Sequence, residues 1–386
     1  MKRNVVLYGA FDRYNYGDNL MPILLEMYLR KHHSDKVDNI EFIYASIKKS
    51  DLSHYKCMPT VAMRELLDIP NDSSVIIVGG EVLGASVGIL YTHVQYSIMA
   101  TKFLKLIRRF SPTLLNVIAK KNYDAVWDYP YIPQKKSFKN DVKIIYNTVG
   151  AKPPASQQVY IKQADYISVR DDRTFSALSD FCRPNLVPDS VLMVSGLVDD
   201  TFFESVVRKE IKEILANDYI SVQACPYKVE FTAQQLADRL DEIINSKRLG
   251  VVLLPIGYAS GHDDIVFLKK VQDLSKSQLL VLDDLNVWEI MYVISKSKAY
   301  FGTSLHGVIT AMSFVVPHFS INNKIEKLTS FLQTWSVSPY NKPICIDELS
   351  QVLTQLSNND DASLQEAVAK AQRIIHSSLD DVSDIL

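Results

Sequence analysis

A chain of 386 residues with 47% hydrophobic and 22% charged side chains is long enough for two packed cores and has an ordinary globular composition. Its formal charge of −2 provides no global field for a polyanion, so nucleic acid is not an expected partner. No run of about 20 uncharged apolar residues exists to span a bilayer. The apolar stretch Val5–Ala10 runs straight into Asp12 and Arg13, which argues against a secretory signal. Cys57, Cys182, Cys225 and Cys345 are far apart and form no C-x-x-C pair. They read as reduced, buried thiols of a cytoplasmic protein, and no metal or other cofactor is expected.

In chain order, Asn4–Tyr8 reads as a strand, Met21–Lys31 as a helix and Asn39–Ser46 as a second strand. Val75–Val78 is a continuous apolar run, as a buried parallel strand requires. Residues 89–140 interrupt the pattern. Within them, Ser97–Phe110 is amphipathic, setting Ile98, Phe103, Leu104, Leu106, Ile107 and Phe110 against Lys102, Lys105, Arg108 and Arg109. Trp127, Tyr129 and Tyr131 follow, then Lys135, Lys136 and Lys139. Residues 97–139 therefore read either as a helical cover with a solvated basic face or as a peripheral contact with an anionic membrane. The second option places the protein at the inner face of the plasma membrane.

Lys143–Asn147 and Tyr166–Val169 are further strands, and Asp189–Val194 closes the first half. Val194–Asn217 reads as a linker. A second series follows: strands at Tyr219–Val222, Gly250–Leu254, Leu279–Leu282, Ala299–Gly302 and Pro317–Ile321, with helices at Thr232–Ser246, Asp263–Lys276, Trp288–Ser295 and Leu305–Phe314. The tail from Asp361 reads as a helix with a frayed polar end. The expected fold is α/β, with two doubly wound Rossmann-like domains facing a cleft. The expected domains are 1–200, 201–360 and a C-terminal helix over 361–386.

The most informative stretch is Phe301-Gly302-Thr303-Ser304-Leu305-His306-Gly307. A strand, a small hydroxyl-bearing turn and a helix start make an anion site, and a histidine there adds proton transfer. A buried histidine beside a helix cap is the plainer reading. Tyr8-Gly9 leads to Asn15-Tyr16-Gly17-Asp18 between the first strand and helix, where Asn15 and Asp18 either cap the helix or bond a sugar or phosphate. It is not G-x-G-x-x-G, so a dinucleotide is not indicated. Gly79-Gly80-Glu81 ends the Val75–Val78 strand as a turn that admits a ligand to the backbone. Arg170 ends another strand; its planar fork suits a carboxylate or phosphate, and an ion pair with Asp or Glu is the alternative. Arg173 reads as a surface residue. Gly261-His262-Asp263-Asp264 offers a metal reading, but Asp263 as a helix cap explains it better.

Taken in order, Asn15-x-Gly17-Asp18, Gly79-Gly80, Ser168-Val169-Arg170, Val187-Pro188-Asp189 and Ser304-Leu305-His306-Gly307 resemble the polysaccharide pyruvyl transferases from about residue 5 to about residue 320. The resemblance implies a fold like the B-type glycosyltransferases. It also implies transfer of the pyruvyl group of phosphoenolpyruvate onto a sugar, as a cyclic ketal with release of phosphate, in making a surface polysaccharide such as a capsule or exopolysaccharide. Phosphoenolpyruvate is then a co-substrate, and the acceptor is a sugar, free or lipid-linked. His306 would move protons with Arg170 as a second catalytic residue. Thr303, Ser304, Gly307 and Arg170 would bind the donor's anionic groups. Asn15, Gly17, Asp18, Gly79, Gly80 and Asp189 would face acceptor or donor. Many members carry arginine where this chain has Ser304. That departure keeps two alternatives open: a B-type glycosyltransferase using a nucleotide sugar, and a non-catalytic sugar-binding homologue.

Overall fold

The computed structural model describes residues 3–95, 97–258, 264–356 and 362–386. The chain divides into two compact units, Met1–Ser190 with Ile374–Leu386, and Val191–Arg373. The division falls ten residues before the expected boundary, and the end of the C-terminal helix joins the first unit instead of standing apart.

The first unit is built on a parallel seven-stranded sheet: β1 (Arg3–Tyr8), β2 (Ile40–Ser46), β3 (Val61–Ala62), β4 (Ser73–Val78), β5 (Val142–Val149), β6 (Tyr166–Val169) and β7 (Asn185–Leu186), in the order β3-β2-β1-β4-β5-β6-β7. Parallel pairing needs crossovers, and helices on both faces bury the central strands. All six residues of β4 are accordingly buried. The first helix is Tyr16–His32, five residues longer at its start than expected. Pro22 lies inside it and cannot donate to the carbonyl of Asp18, so the sequence reads as though the helix began at Met21. The interrupting segment folds into helices Val87–His93, Ile98–Phe110 and Pro112–Asn122, capped by Ser86, Ser97 and Ser111.

The second unit carries a parallel five-stranded sheet: β8 (Tyr219–Gln223), β9 (Gly250–Leu253), β10 (Leu280–Val281), β11 (Tyr300–Gly302) and β12 (His318–Ser320), in the order β10-β9-β8-β11-β12. Ser190–Gly196, at the close of the first half, is a 3-10 helix. Two expectations need correction. The linker holds helices Asp200–Val206 and Lys209–Ile214, with Phe203 buried against Tyr292 and Phe314. The last helix, Ala362–Ile385, does not fray: the carbonyls of Ile385 and Leu386 accept bonds from Lys143 and Arg3. Cys57 and Cys225 are buried, whereas Cys345 is exposed.

Candidate active site

In the first sheet the chain leaves β1 toward β2 and β3 on one side and resumes with β4 on the other. Loops diverge at the carboxyl ends on either side of such a reversal, and ligands enter there. The Asn15–Asp18 and Gly79-Gly80 motifs sit on those two loops. Gly79 and Gly80 have φ of +61° and +83°, and a Cβ on Gly79 would stand 2.2 Å from Met21 Sδ. The turn therefore requires glycine for both backbone conformation and space. A Cβ on Gly80 would lie 3.8 Å from Asp18 Oδ1, so the two motifs meet. Asn15 occupies the N-cap position but its side chain makes no capping bond. Its N–H instead donates to Asn19 Oδ1 at 2.9 Å, and Asn19 Nδ2 donates to the Phe11 carbonyl, fastening the loop. Gly17 is buried, and half-buried Asp18 is the motif's exposed edge.

Two residues that the motif search passed over complete this edge. Asp12 accepts from the Tyr123 hydroxyl and lies 3.4 Å from Arg13 Nε. Burial opposes the charge on Arg13, but Asp12 outweighs it and holds the guanidinium protonated. Burial pushes up the pKa of Tyr123, with Asp12 adding to the shift.

Arg170 is 1% exposed, and its fork is already engaged. Nη1 donates to Asp189 Oδ2 and Nη2 to Glu81 Oε2, both at 3.0 Å, while Arg173 holds the other oxygen of Glu81. Burial would lower the Arg170 pKa, but Asp189 and then Glu81 outweigh it and raise it. The ion-pair alternative thus describes Arg170 better than a clamp facing a ligand. Asp189 is buried and orients Arg170, and Arg173 is a member of the network and not a bare surface cation. Gly150 is required beneath it, since a Cβ there would stand 2.7 Å from Glu81 Oε2 and 3.1 Å from Arg170 Nε. Asp171 caps the helix Asp172–Ser179 through the Thr174 N–H.

The second sheet reverses at β8 and β11, and the histidine motif follows β11. Here the edge is a hydrogen-bonded chain of uncharged groups that ends at one buried carboxylate, Asp264. The Thr303 N–H donates to Gln223 Oε1 at 2.9 Å, and its hydroxyl donates to the same oxygen at 3.2 Å. The Cys225 N–H in turn donates to Thr303 Oγ1. Gln223 Nε2 donates to Asp264 Oδ2 at 2.8 Å, and that carboxylate also accepts from the amides of Ile256 and Gly257. Burial raises the Asp264 pKa, against the pull of Gln223, the two amides and the charge of Lys228. Thr303 is therefore a tie between β8 and β11, where an anion ligand was expected.

Ser304 caps the helix Leu305–Ser313 by accepting from the Gly307 N–H at 3.3 Å. His306, the second residue of that helix, is 7% exposed. Gly307 is small for a packing reason: a Cβ there would stand 2.0 Å from Tyr300 Oη, and one on Gly302 would stand 2.4 Å from it. The first-turn amides of Leu305 and His306 point out of the helix end by construction. The Thr303 and Ser304 hydroxyls are thus engaged within the protein, and the helix start and half-buried Lys228, whose charge acts on Asp264, border this edge.

Gln223, Lys228 and Arg13 carry no motif signal, and only their positions after strand ends could have drawn attention; Glu81 and Asp264 stand within the motifs above but receive no role of their own there. His262 and Asp263 of the Gly261–Asp264 reading lie outside the described residues. Trp127 and Tyr131 are core residues at 3% and 1% exposure, so the aromatic half of the surface reading fails. Lys135 and Lys139 pair with Asp165 and Asp68. A cavity of about 540 Å³ lies at the amino ends of β6 and β7, lined by Tyr166, Phe181, Cys182 and Asn185, away from both edges.

Two doubly wound Rossmann-like domains, each with candidate residues at its sheet reversal, define a GT-B-like α/β fold. UDP-GlcNAc 2-epimerase from Methanocaldococcus jannaschii, solved with UDP-GlcNAc and UDP, has the same fold: TM-score 0.53 and 10% identity over 97% of this chain and 98% of that one. The Neisseria meningitidis UDP-GlcNAc 2-epimerase bound to UDP-GlcNAc matches with TM-score 0.52 and 13% identity over 98% and 99%. No curated protein matches by sequence. The polysaccharide pyruvyl transferase family model matches residues 15–325, and the chain belongs to that family of transferases.

Proposed function

We propose that this enzyme transfers the pyruvyl group of phosphoenolpyruvate to two hydroxyls of a sugar in a surface polysaccharide or its precursor, in the cytoplasm. The observation that carries the reading is a family match spanning most of the chain with His306 in the first turn of a helix at a sheet reversal. A protonated His306 gives its proton to the methylene carbon, making the neighbouring carbon electrophilic. A sugar hydroxyl adds to that carbon and loses its proton back to the imidazole. Phosphate then leaves with the electron pair of its C–O bond, the second hydroxyl closes the ring, and its proton goes to the departing phosphate. The balance is phosphoenolpyruvate plus a diol giving a ketal plus phosphate, and it requires no metal.

The helix start and Lys228 are our candidates for the donor's negative charge. Asp18, with Gly17 and the Gly79-Gly80 turn, is the candidate for sugar hydroxyls, which carboxylates bond well. The network of Arg170, Glu81, Arg173 and Asp189 positions that turn. The test is phosphate release from phosphoenolpyruvate with a panel of diol-bearing glycosides. His306→Ala should lower the rate about 10²- to 10⁴-fold, while full retained activity removes His306 from the chemistry. Because the folds above also belong to UDP-sugar enzymes, UDP is the control ligand. Thermal stabilisation by UDP and not by phosphoenolpyruvate would replace this reading with a nucleotide-sugar transferase.

A further inference from the structure

The helix Ile98–Phe110 turns an apolar stripe outward. Met99, Phe103, Leu106 and Phe110 are 81%, 62%, 53% and 78% exposed. Their spacing of four, three and four residues puts all of them on one narrow face. The inner side of the same helix is served by buried Leu104, so this is not a core face misplaced. Helix Pro112–Asn122 continues the exposed surface with Leu114 and Val117, while its Leu115 and Ala119 are buried. These six side chains account for most of the large apolar groups exposed among the described residues.

The charge around the stripe is one-sided. Between Glu81 and Asp124 the sequence has no Asp or Glu, yet it holds Lys102, Lys105, Arg108, Arg109, Lys120 and Lys121. On the first helix, Lys102 and Arg109 border the stripe directly, and Lys105 and Arg108 lie further round. In a chain of net charge −2 this concentration is local and distinct. Apolar side chains flanked by cations fit the boundary between headgroups and acyl chains of an anionic bilayer. Lys120 is paired with Asp128 at 3.3 Å, which leaves the cations of the first helix to set the sign of the surface. A second copy fits worse, because a symmetric pairing would press two predominantly cationic surfaces together.

We infer that helices Ile98–Phe110 and Pro112–Asn122 form a docking surface for an anionic lipid bilayer, with Met99, Phe103, Leu106 and Phe110 inserted and the flanking lysines and arginines on the headgroups. This inference is independent of the donor chemistry proposed above. It is tested by co-sedimentation of the full chain with phosphatidylcholine vesicles and with vesicles in which a third of the lipid is phosphatidylglycerol. Binding should require the anionic lipid and weaken with salt. Phe103→Asn with Phe110→Asn, and separately Lys102→Glu with Arg109→Glu, should each weaken it about tenfold or more. All four positions are exposed, so both variants should keep the wild-type circular dichroism. Absence of binding to anionic vesicles overturns the inference, as does unchanged binding in both variants. Sedimentation velocity showing that the phenylalanine variant turns a wild-type dimer into a monomer would overturn it by assigning the stripe to self-association.

Discussion

The two sheets place their candidate residues at the same topological position and build those edges from opposite chemistry. In the first unit the reversal is bordered by ions: Arg170 lies between Asp189 and Glu81, Arg173 holds Glu81, and Arg13 lies beside Asp12. In the second unit uncharged groups run from Cys225 through Thr303 and Gln223 to a single buried carboxylate, Asp264. An anion that took Arg170 as its ligand would have to displace carboxylates and leave buried Asp189 uncompensated, which costs several kcal/mol. An anion at the start of helix Leu305–Ser313 displaces no buried partner and meets the positive end of the helix. On the proposed function, this difference favours the second unit for the phosphorylated donor and leaves Arg170 to shape the Gly79-Gly80 turn.

The contrast breaks most sharply at Arg170. Arg170→Ala should destabilise the protein by about 3–5 kcal/mol, because it removes the buried cation that faces the Asp189 and Glu81 carboxylates. Gln223→Ala, at the equivalent place in the hydrogen-bonded edge, should cost only about 1–3 kcal/mol. Urea unfolding of both variants checks this. Removing the charge on both sides, with Arg170→Met and Asp189→Leu together, should recover much of the loss. Equal costs for Arg170→Ala and Gln223→Ala would mean that the ionic edge has no special structural role.

Much of this was legible in the sequence, for physical reasons. Buried parallel strands such as Val75–Val78 are apolar throughout, and glycine turns after them mark the carboxyl edge where ligands enter. The alternation of strands and helices therefore located both sheets and the strand ends that carry the motifs; the strand order and its reversals came only with the fold. Strands of two residues such as Val61–Ala62 and Asn185–Leu186 carry too little pattern to be seen. The partners of Arg170 were also hidden. Glu81 and Asp189 are far from it along the chain, and a strand-end arginine has the same sequence signature whether it meets a ligand or a carboxylate. Thr303 and Ser304 are ambiguous for a related reason, since small hydroxyl residues at a helix start serve caps and ties as readily as anions. Trp127 and Tyr131 lie among prolines and polar residues, where only tertiary packing could reveal them as core.

A pH titration sharpens the comparison from the other side. His318 on β12 is buried, with Nδ1 2.9 Å from the Val316 carbonyl and Nε2 3.1 Å from Ser336 Oγ. Burial lowers its pKa to about 4, against the opposing pull of the Val316 carbonyl. At neutral pH the imidazole is uncharged in both the folded and the unfolded chain, so it has no effect. Below its ordinary pKa of about 6.5 the unfolded chain takes up a proton that the folded chain refuses, and stability falls until the pH reaches about 4. The loss across that window should be about 3 kcal/mol. It should be read in the second unit, through Trp288 and Trp335 in a Trp127→Phe background. A His318→Asn variant should show a flatter profile from pH 6.5 to 4. An unchanged slope would place the acid sensitivity elsewhere.

The smallest effect separates a cap from a ligand. Ser304 stands where many family members carry arginine, and its hydroxyl accepts from Gly307 N–H at 3.3 Å. If the cap is its whole contribution, Ser304→Ala should cost about 1 kcal/mol of stability and leave phosphate release within a few-fold of wild type. Ser304→Asp should keep the stability, because aspartate caps as well as serine and its charge suits the helix start. That same charge would repel a phosphorylated donor, so Ser304→Asp should raise the KM for phosphoenolpyruvate while kcat changes little. A stable Ser304→Asp variant with an unaltered KM would mean that the donor's charge does not approach this helix start. The hydrogen-bonded edge would then lose its claim to the anion, and the ionic edge of the first unit would have to be reconsidered as the donor site.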